Sequence, residues 1–165
     1  MSRITSIPEL YAHAIAIERE AAERYAELAV RMSDESRDDL AALFSGLAAQ
    51  EVGHLEALER RTAGIDLPPL ARGDYQWLGD AAPESAAHEL VLRLMTPRRA
   101  LLMALGAEQR AQAFFEHLLV TAGDPGLRAL AHEMAADEQE HVQIIERMLE
   151  STPDDVVHWQ DLYES

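Results

Sequence analysis

Two short segments of the chain each place a glutamate three residues before a histidine. Glu51 and His54 lie in "LAAQEVGHLEALE", and Glu138 and His141 lie in "MAADEQEHVQIIE", which aligns with the first segment without gaps. Side chains at positions i and i+3 lie on the same face of a helix, so each pair presents a carboxylate and an imidazole together. Carboxylate oxygen and imidazole nitrogen suit iron, manganese and zinc as ligands. The repeated pattern therefore predicts a metal site built from two matching halves.

A further glutamate precedes each pair, on an earlier segment with helical apolar spacing. Glu18 and Glu108 occupy matching positions, and each is followed seven residues later by an aromatic residue, Tyr25 in one case and Phe115 in the other. Four carboxylates that face the centre of one bundle would repel one another and could not all ionise without compensation. Two divalent ions would supply the compensating charge of +4. The four glutamates and two histidines thus predict a site for two metal ions.

Helix-start signals indicate four long helices that would position these residues. Ser6 and Glu9 form a capping-box pattern around Pro8, and Ser36 is the predicted N-cap of the second helix. Thr96 and Asp124 are each followed by proline, which favours an N-cap with proline at the first helical position. The Ala- and Leu-rich composition favours helices over strands. The sequence predicts an all-α protein.

The spacing of these helices predicts a four-helix bundle with one long crossover between helices 2 and 3. Helical hairpins are expected over about 7–61 and 97–151, joined by the crossover 62–96 and followed by a C-terminal tail, 152–165. The Gly- and Pro-rich first part of the crossover is predicted to be irregular, and "SAAHELVLRLM" in its last part favours a short extra helix. A long connection allows the second hairpin to enter the bundle from the opposite end. The whole chain, 1–165, is expected to form a single domain.

The charge and the amino-acid composition of the chain exclude several kinds of binding partner and several kinds of active site. The chain has 165 residues and a formal net charge of −16, so its surface would repel nucleic acid and anionic membranes. It contains no cysteine, which excludes disulfides, thiolate nucleophiles and iron–sulfur clusters within it. Because neither a signal peptide nor a run of about 20 apolar residues is present, we expect a cytoplasmic protein without a nucleic-acid or membrane partner.

The six candidate ligands resemble those of the ferritin-like di-iron carboxylate proteins, and the chain is similar to rubrerythrins and bacterioferritins in particular. The resemblance covers both hairpins and implies a ferritin-like bundle that holds two iron ions, with manganese or zinc as substitutes. It implies that Glu51 and Glu138 bridge the metals and that Tyr25 supports the site from behind a ligand. The other implied ligands each serve one metal: Glu18, Glu108, His54 and His141.

Three departures from these relatives shape the expected activity. Rubrerythrins usually carry an additional glutamate where this chain has Ala111, and a rubredoxin module with four cysteines that this chain lacks. Electrons would therefore come from a separate donor. Bacterioferritins ligate haem through a methionine at the position of Val52, so no haem is expected.

The resemblance implies a homodimeric, rubrerythrin-like oxidoreductase in oxidative-stress defence. It would act as a peroxidase or ferroxidase, using Fe(II) with peroxide or oxygen and an external reductant. Two other functions stay open on the sequence alone, namely iron storage or delivery without turnover and a helical bundle with a structural metal. A hydroxylase acting on an organic substrate is a further alternative, by analogy of fold only.

Overall fold

The computed structural model describes residues 4–70 and 95–153, and within them the chain forms four α-helices and no strand. The helices are α1 (Ile7–Asp34), α2 (Asp38–Arg61), α3 (Pro97–Thr121) and α4 (Pro125–Glu150). The predicted all-α fold is confirmed. Most of the predicted short helix in the crossover, and the tail from residue 154 onwards, lie outside the described residues.

Three of the four predicted helix starts are confirmed by their capping hydrogen bonds. Ser6 accepts a bond from the backbone N–H of Glu9 (3.3 Å), and the Glu9 carboxylate accepts one from the backbone N–H of Ser6 (3.1 Å). The side chains of Thr96 and Asp124 each accept a bond from the N–H three residues further on, at 3.1 Å and 2.8 Å. These caps satisfy backbone donors that a helix cannot satisfy itself.

The predicted N-cap at Ser36 is wrong. Helix α2 begins at Asp38, its N-cap is Arg37, and no side chain caps it. Ser36 has a φ of 59°, a left-handed conformation that lets the chain reverse within three residues. The N–H of Arg37 donates to the carbonyl of Met32 across this turn (2.8 Å). Ser36 therefore belongs to the end of the first helix and the turn rather than to the start of the second.

Two apolar clusters fill the bundle, one towards each end. Helix α1 packs along α2 and α3 packs along α4, with further contacts between α1 and α4 and between α2 and α3. The Phe115 cluster joins the beginnings of α1 and α4 to the ends of α2 and α3, through residues that include Leu10, Ile15, Leu58, Phe115, Leu118 and Leu127. The Phe44 cluster joins the opposite ends of the same helices, through residues that include Tyr25, Met32, Leu40, Phe44, Leu101 and Ile145.

The membership of the two clusters fixes the helix directions. Helix α2 ends in the Phe115 cluster, whereas α3 begins at the Phe44 cluster, where Arg37 also donates to the carbonyl of Met95 (3.0 Å). The connection between α2 and α3 must therefore run from one end of the bundle to the other. As a result α1 is parallel to α4, α2 is parallel to α3, and each hairpin is antiparallel.

Charged side chains join the helices on their outer faces. Arg19 on α1 lies 2.8 Å from Glu59 on α2, and Arg61 makes a two-pronged ion pair with Glu133 on α4, one arm of which is 2.9 Å. Exposed pairs of this kind contribute at most about 1 kcal/mol each, so the apolar clusters provide most of the stability. None of the helices in the described part of the chain is long and apolar enough to span a membrane.

Gly46 offers a direct test of the exposed face of α2. A Cβ at this position would meet no heavy atom within 4 Å, and the backbone is helical. Alanine restricts the unfolded chain more than glycine does, so Gly46→Ala should raise the free energy of unfolding by about 0.5–1 kcal/mol. Urea denaturation of the purified protein measures this change.

The matched control is Ala49→Gly, at an exposed position on the same helix. This change should lower the free energy of unfolding by a similar amount. If Gly46→Ala instead lowers the free energy of unfolding, the face around Gly46 is covered in the native protein and the account of it as exposed is wrong.

Candidate metal centre

Each of the four helices places one glutamate in the space between the two apolar clusters. These glutamates are only 3–6% exposed although they lie near the middle of long helices, and they are Glu18, Glu51, Glu108 and Glu138. Their position follows from the local sequence, since each lies on the apolar stripe of its helix. On α3, for example, Ala104, Ala111 and Phe115 occupy the buried face one and two turns from Glu108.

The imidazole of His141 lies among these carboxylates. Its Nδ1 atom is 3.3 Å from Oε2 of Glu108 and 3.6 Å from both Oε1 of Glu51 and Oε2 of Glu138. Two groups of three side chains each bring one oxygen or nitrogen ligand atom within 4.8 Å of the others. One group is Glu18, Glu51 and His141, and the other is Glu108, Glu138 and His141.

His54 takes a different position from the one the repeat suggests. The sequence predicts that His54 and His141 each complete one site, whereas in the structure His141 belongs to both three-residue groups and His54 to neither. His54 is partly exposed, and its ring packs edge-on against that of His141 with centroids 4.3 Å apart. The structure thus brings His54 to the border of the cluster. Its role as a ligand stays a prediction.

Tyr25 supports the cluster from α1. Its hydroxyl donates to Oε1 of Glu108 across the bundle (2.7 Å), and the side chain is 1% exposed. Burial and the charge of Glu108 raise the pKa of Tyr25 well above its ordinary value, so the hydroxyl keeps its proton and remains a donor. Phe115, at the matching position of the second hairpin, has no hydroxyl and packs in the apolar cluster named after it.

Burial dominates the acid–base behaviour of the cluster. It raises the pKa of Glu51 to about 11, with the charge of Glu108 and the contact with Glu18 adding to the effect. Burial also raises the pKa of Glu138, to which neighbouring carboxylates add, and that of Glu18, although the hydrogen bond with Glu51 opposes the rise at Glu18. Burial opposes a charge on His141, but its hydrogen bond to Glu108 and the surrounding carboxylates outweigh this, and its pKa is raised. Without cations, Glu51 would therefore retain its proton at neutral pH.

Two buried polar atoms in the cluster make no hydrogen bond, namely Oε2 of Glu18 and Nε2 of His141. Buried polar atoms are usually satisfied, so these two call for a partner. Both are atoms that bind metal cations, and the surrounding set of carboxylate oxygens and imidazole nitrogens suits iron, manganese or zinc. Two divalent cations would also balance four carboxylates. The residues present therefore fit a two-metal site.

The sequence did not indicate that His141 would belong to both three-residue groups. The alignment makes His54 and His141 appear equivalent, and only the packing separates them. Gly53, between Glu51 and His54, does not make room for side chains that converge on the metals, because it is exposed and a Cβ there would meet nothing within 4 Å. It lies two residues beyond Glu51, about 200° around the helix, so the helical period itself indicated the outer face.

Comparisons with known proteins agree with this geometry. A family model described as Rubrerythrin matches residues 9–72, which contain the first hairpin. A crystal structure of an uncharacterised conserved protein from Magnetospirillum magnetotacticum MS-1 is 34% identical in sequence, with a TM-score of 0.74. The match covers 92% of this chain and 99% of that one, so it includes both hairpins. No curated protein matches the chain.

Replacing Glu51 by glutamine should stabilise the protein prepared without metal. The amide can donate to Glu18 as the protonated carboxyl does, but without the cost of keeping a proton at neutral pH, so the free energy of unfolding at pH 7 should rise by on the order of 2 kcal/mol. The pKa of Glu51 is raised in the folded state, so the unfolded chain loses this proton more readily and the parent becomes less stable as pH rises above about 4.5. The gain from glutamine should therefore shrink towards pH 4.5.

Thermal or urea unfolding of chelator-treated protein between pH 4.5 and 8 measures both effects. Glu56→Gln, an exposed carboxylate on the same helix, is the control and should change little. A Glu51→Gln variant that is less stable than the parent at pH 7 would contradict the electrostatic description of the cluster.

Proposed function

The chain belongs to the rubrerythrin family of ferritin-like proteins, and from this premise we propose that it is a non-haem di-iron oxidoreductase of peroxidase or ferroxidase type. One observation carries the proposal, namely the four buried glutamates and His141 gathered between four helices with ligand atoms left unpartnered. An apolar bundle gains nothing in stability from such a cluster, since burying carboxylates is costly. A cluster of this kind is therefore best explained by the cations it binds.

The proposed ligand set follows the repeat. Glu51 and Glu138 would bridge the two metals, and the remaining ligands would serve one metal each, namely Glu18, Glu108, His54 and His141. The two three-residue groups support the four glutamates and His141 as ligands, with Glu51 grouped with Glu18 and Glu138 grouped with Glu108. For His54 the support is its place in the repeat and its half-buried ring, which packs beside that of His141.

Two bound ferrous ions would supply the two electrons that, with two protons, convert hydrogen peroxide to two water molecules. The chain's own residues hold and shield this centre. The apolar clusters on both sides keep bulk water away, and Tyr25 holds Glu108 in one orientation through its hydroxyl.

The return of the centre to the ferrous state requires electrons from elsewhere. The chain has no cysteine and so no rubredoxin-type iron site of its own. We therefore propose a separate electron donor. The homodimer and the cytoplasmic location stay predictions from the sequence.

Anaerobic addition of Fe²⁺ followed by hydrogen peroxide tests the function. We expect about two irons bound per chain and a ferric absorption that develops on addition of peroxide. Glu51→Ala and His141→Ala should each lower the rate at least tenfold, since the loss of groups that merely support a metal ligand already costs 10- to 100-fold in comparable sites. The matched controls, Glu56→Ala and His132→Ala, change exposed residues on the same two helices and should keep the parental rate.

Other outcomes would favour the alternative functions. A parental oxidation rate in the Glu51→Ala and His141→Ala variants would contradict the proposal. Retention of far more than two irons per chain in a large closed assembly would indicate storage. Tightly held metal without any redox response to peroxide would indicate a structural role.

A further inference from the structure

The two halves of the duplicated centre differ in one hydrogen bond, and we infer that this difference makes them unequal in metal affinity. The half that contains Glu18 binds the first cation, because Phe115 leaves Glu18 without the hydrogen bond that Tyr25 gives to Glu108. Phe115 thereby affects the metal affinity of the Glu18 half, because its ring carries no hydroxyl that could donate to Glu18. This inference rests on the proposed two-metal function and adds an order of filling to it.

Both carboxylate oxygens of Glu108 already have protein partners. Oε1 accepts the hydroxyl of Tyr25 (2.7 Å), and Oε2 lies 3.3 Å from Nδ1 of His141. A cation that binds Glu108 must compete for Oε2 with His141 and leaves Oε1 engaged by Tyr25. Glu108 is thus already hydrogen-bonded within the protein. Part of the free energy gained when it binds a cation is offset by the loss of its contact with His141.

Glu18 shares a hydrogen bond with Glu51 but differs from Glu108 in leaving one of its two oxygens without a partner. The side chain is 6% exposed, and its Oε2 atom is buried without a hydrogen-bond partner. The residue of the repeat that corresponds to Tyr25 is Phe115, which is 1% exposed and belongs to the same apolar cluster as Ile15 and Ile17, close to Glu18 along α1. A phenyl ring cannot donate a hydrogen bond to a carboxylate.

The unpartnered oxygen determines which half gains more from a cation. A buried acceptor without a partner keeps the full cost of its lost hydration, whereas an acceptor with a partner has recovered most of it. A cation at Oε2 of Glu18 removes that cost and displaces no protein donor from that atom. A hydrogen bond to a charged group is worth about a tenfold factor in affinity or more, so the Glu18 half should bind about tenfold more tightly.

Cobalt(II) chloride is the probe, with binding followed by calorimetry and by visible absorption of the bound ion. Two neighbouring cations repel, so two binding steps in the parent alone would not identify the halves. Each half is therefore measured alone. Glu108→Gln keeps the Glu18 half, and Glu18→Gln keeps the Glu108 half. We expect one cobalt ion per chain in each, bound about tenfold more tightly by the Glu108→Gln variant.

Exchanging the aromatic residues then tests the cause. Added to Glu108→Gln, Phe115→Tyr should weaken cobalt binding about tenfold, whereas the same change added to Glu18→Gln should have no effect. Conversely, Tyr25→Phe should strengthen binding in the Glu18→Gln background and leave the Glu108→Gln background unchanged. Tyr25→Phe removes a single oxygen atom, so this arm decides the question even if the larger side chain at position 115 disturbs folding.

The outcomes separate this inference from the proposed function. If the two half-site variants bind cobalt equally, or if Glu18→Gln binds more tightly, the inference is wrong while the two-metal function stands. If the aromatic exchanges change the affinity of both halves alike, the hydrogen bond is not the cause and the inference is again overturned. If the parent binds no cobalt, both the proposed function and the inference fail.

Discussion

Burying four carboxyl groups between four helices opposes folding, because each loses its hydration and each makes ionisation of the others harder. In this chain the glutamates are only 3–6% exposed, and the pKa of Glu51 rises to about 11. The rest of the structure has to supply the stability that this centre removes. It does so with one apolar cluster on each side of the centre, so that packing at both ends of the bundle holds the carboxylates together in the middle.

The duplicated hairpin explains how so costly a cluster is assembled from one short pattern. Each hairpin contributes one glutamate from its first helix and a Glu-x-x-His segment from its second. The crossover between α2 and α3 makes α1 parallel to α4 and α2 parallel to α3, so that all four glutamates come to the same level of the bundle. The symmetry between the two hairpins is incomplete in two ways. Tyr25 donates to Glu108, whereas Phe115 has no hydroxyl. His141 contacts carboxylates from three helices, whereas His54 lies at the border of the cluster.

Much of this architecture was predictable because its signals are local. A capping side chain followed by proline, as at Thr96 and Asp124, sets a helix start within a few residues, and the apolar period indicates which face is buried. The turn at Ser36 was not predictable in this way, since its positive φ depends on how α1 ends and α2 enters the bundle. The shared position of His141 was equally hidden, because two histidines in matching registers differ only in how their helices pack against the others. Gly53 is a different case, as the helical period already placed it on the outer face.

The central claim is that these glutamates and histidines exist to bind two metal ions. Crystals grown anaerobically with Fe²⁺, and measured on both sides of the iron absorption edge, test it most directly. We expect two anomalous peaks between the four helices, one beside Glu18 and Glu51 and one beside Glu108 and Glu138, with His141 in contact with at least one of them. Iron bound only at the surface, or no peak among these carboxylates, would contradict it.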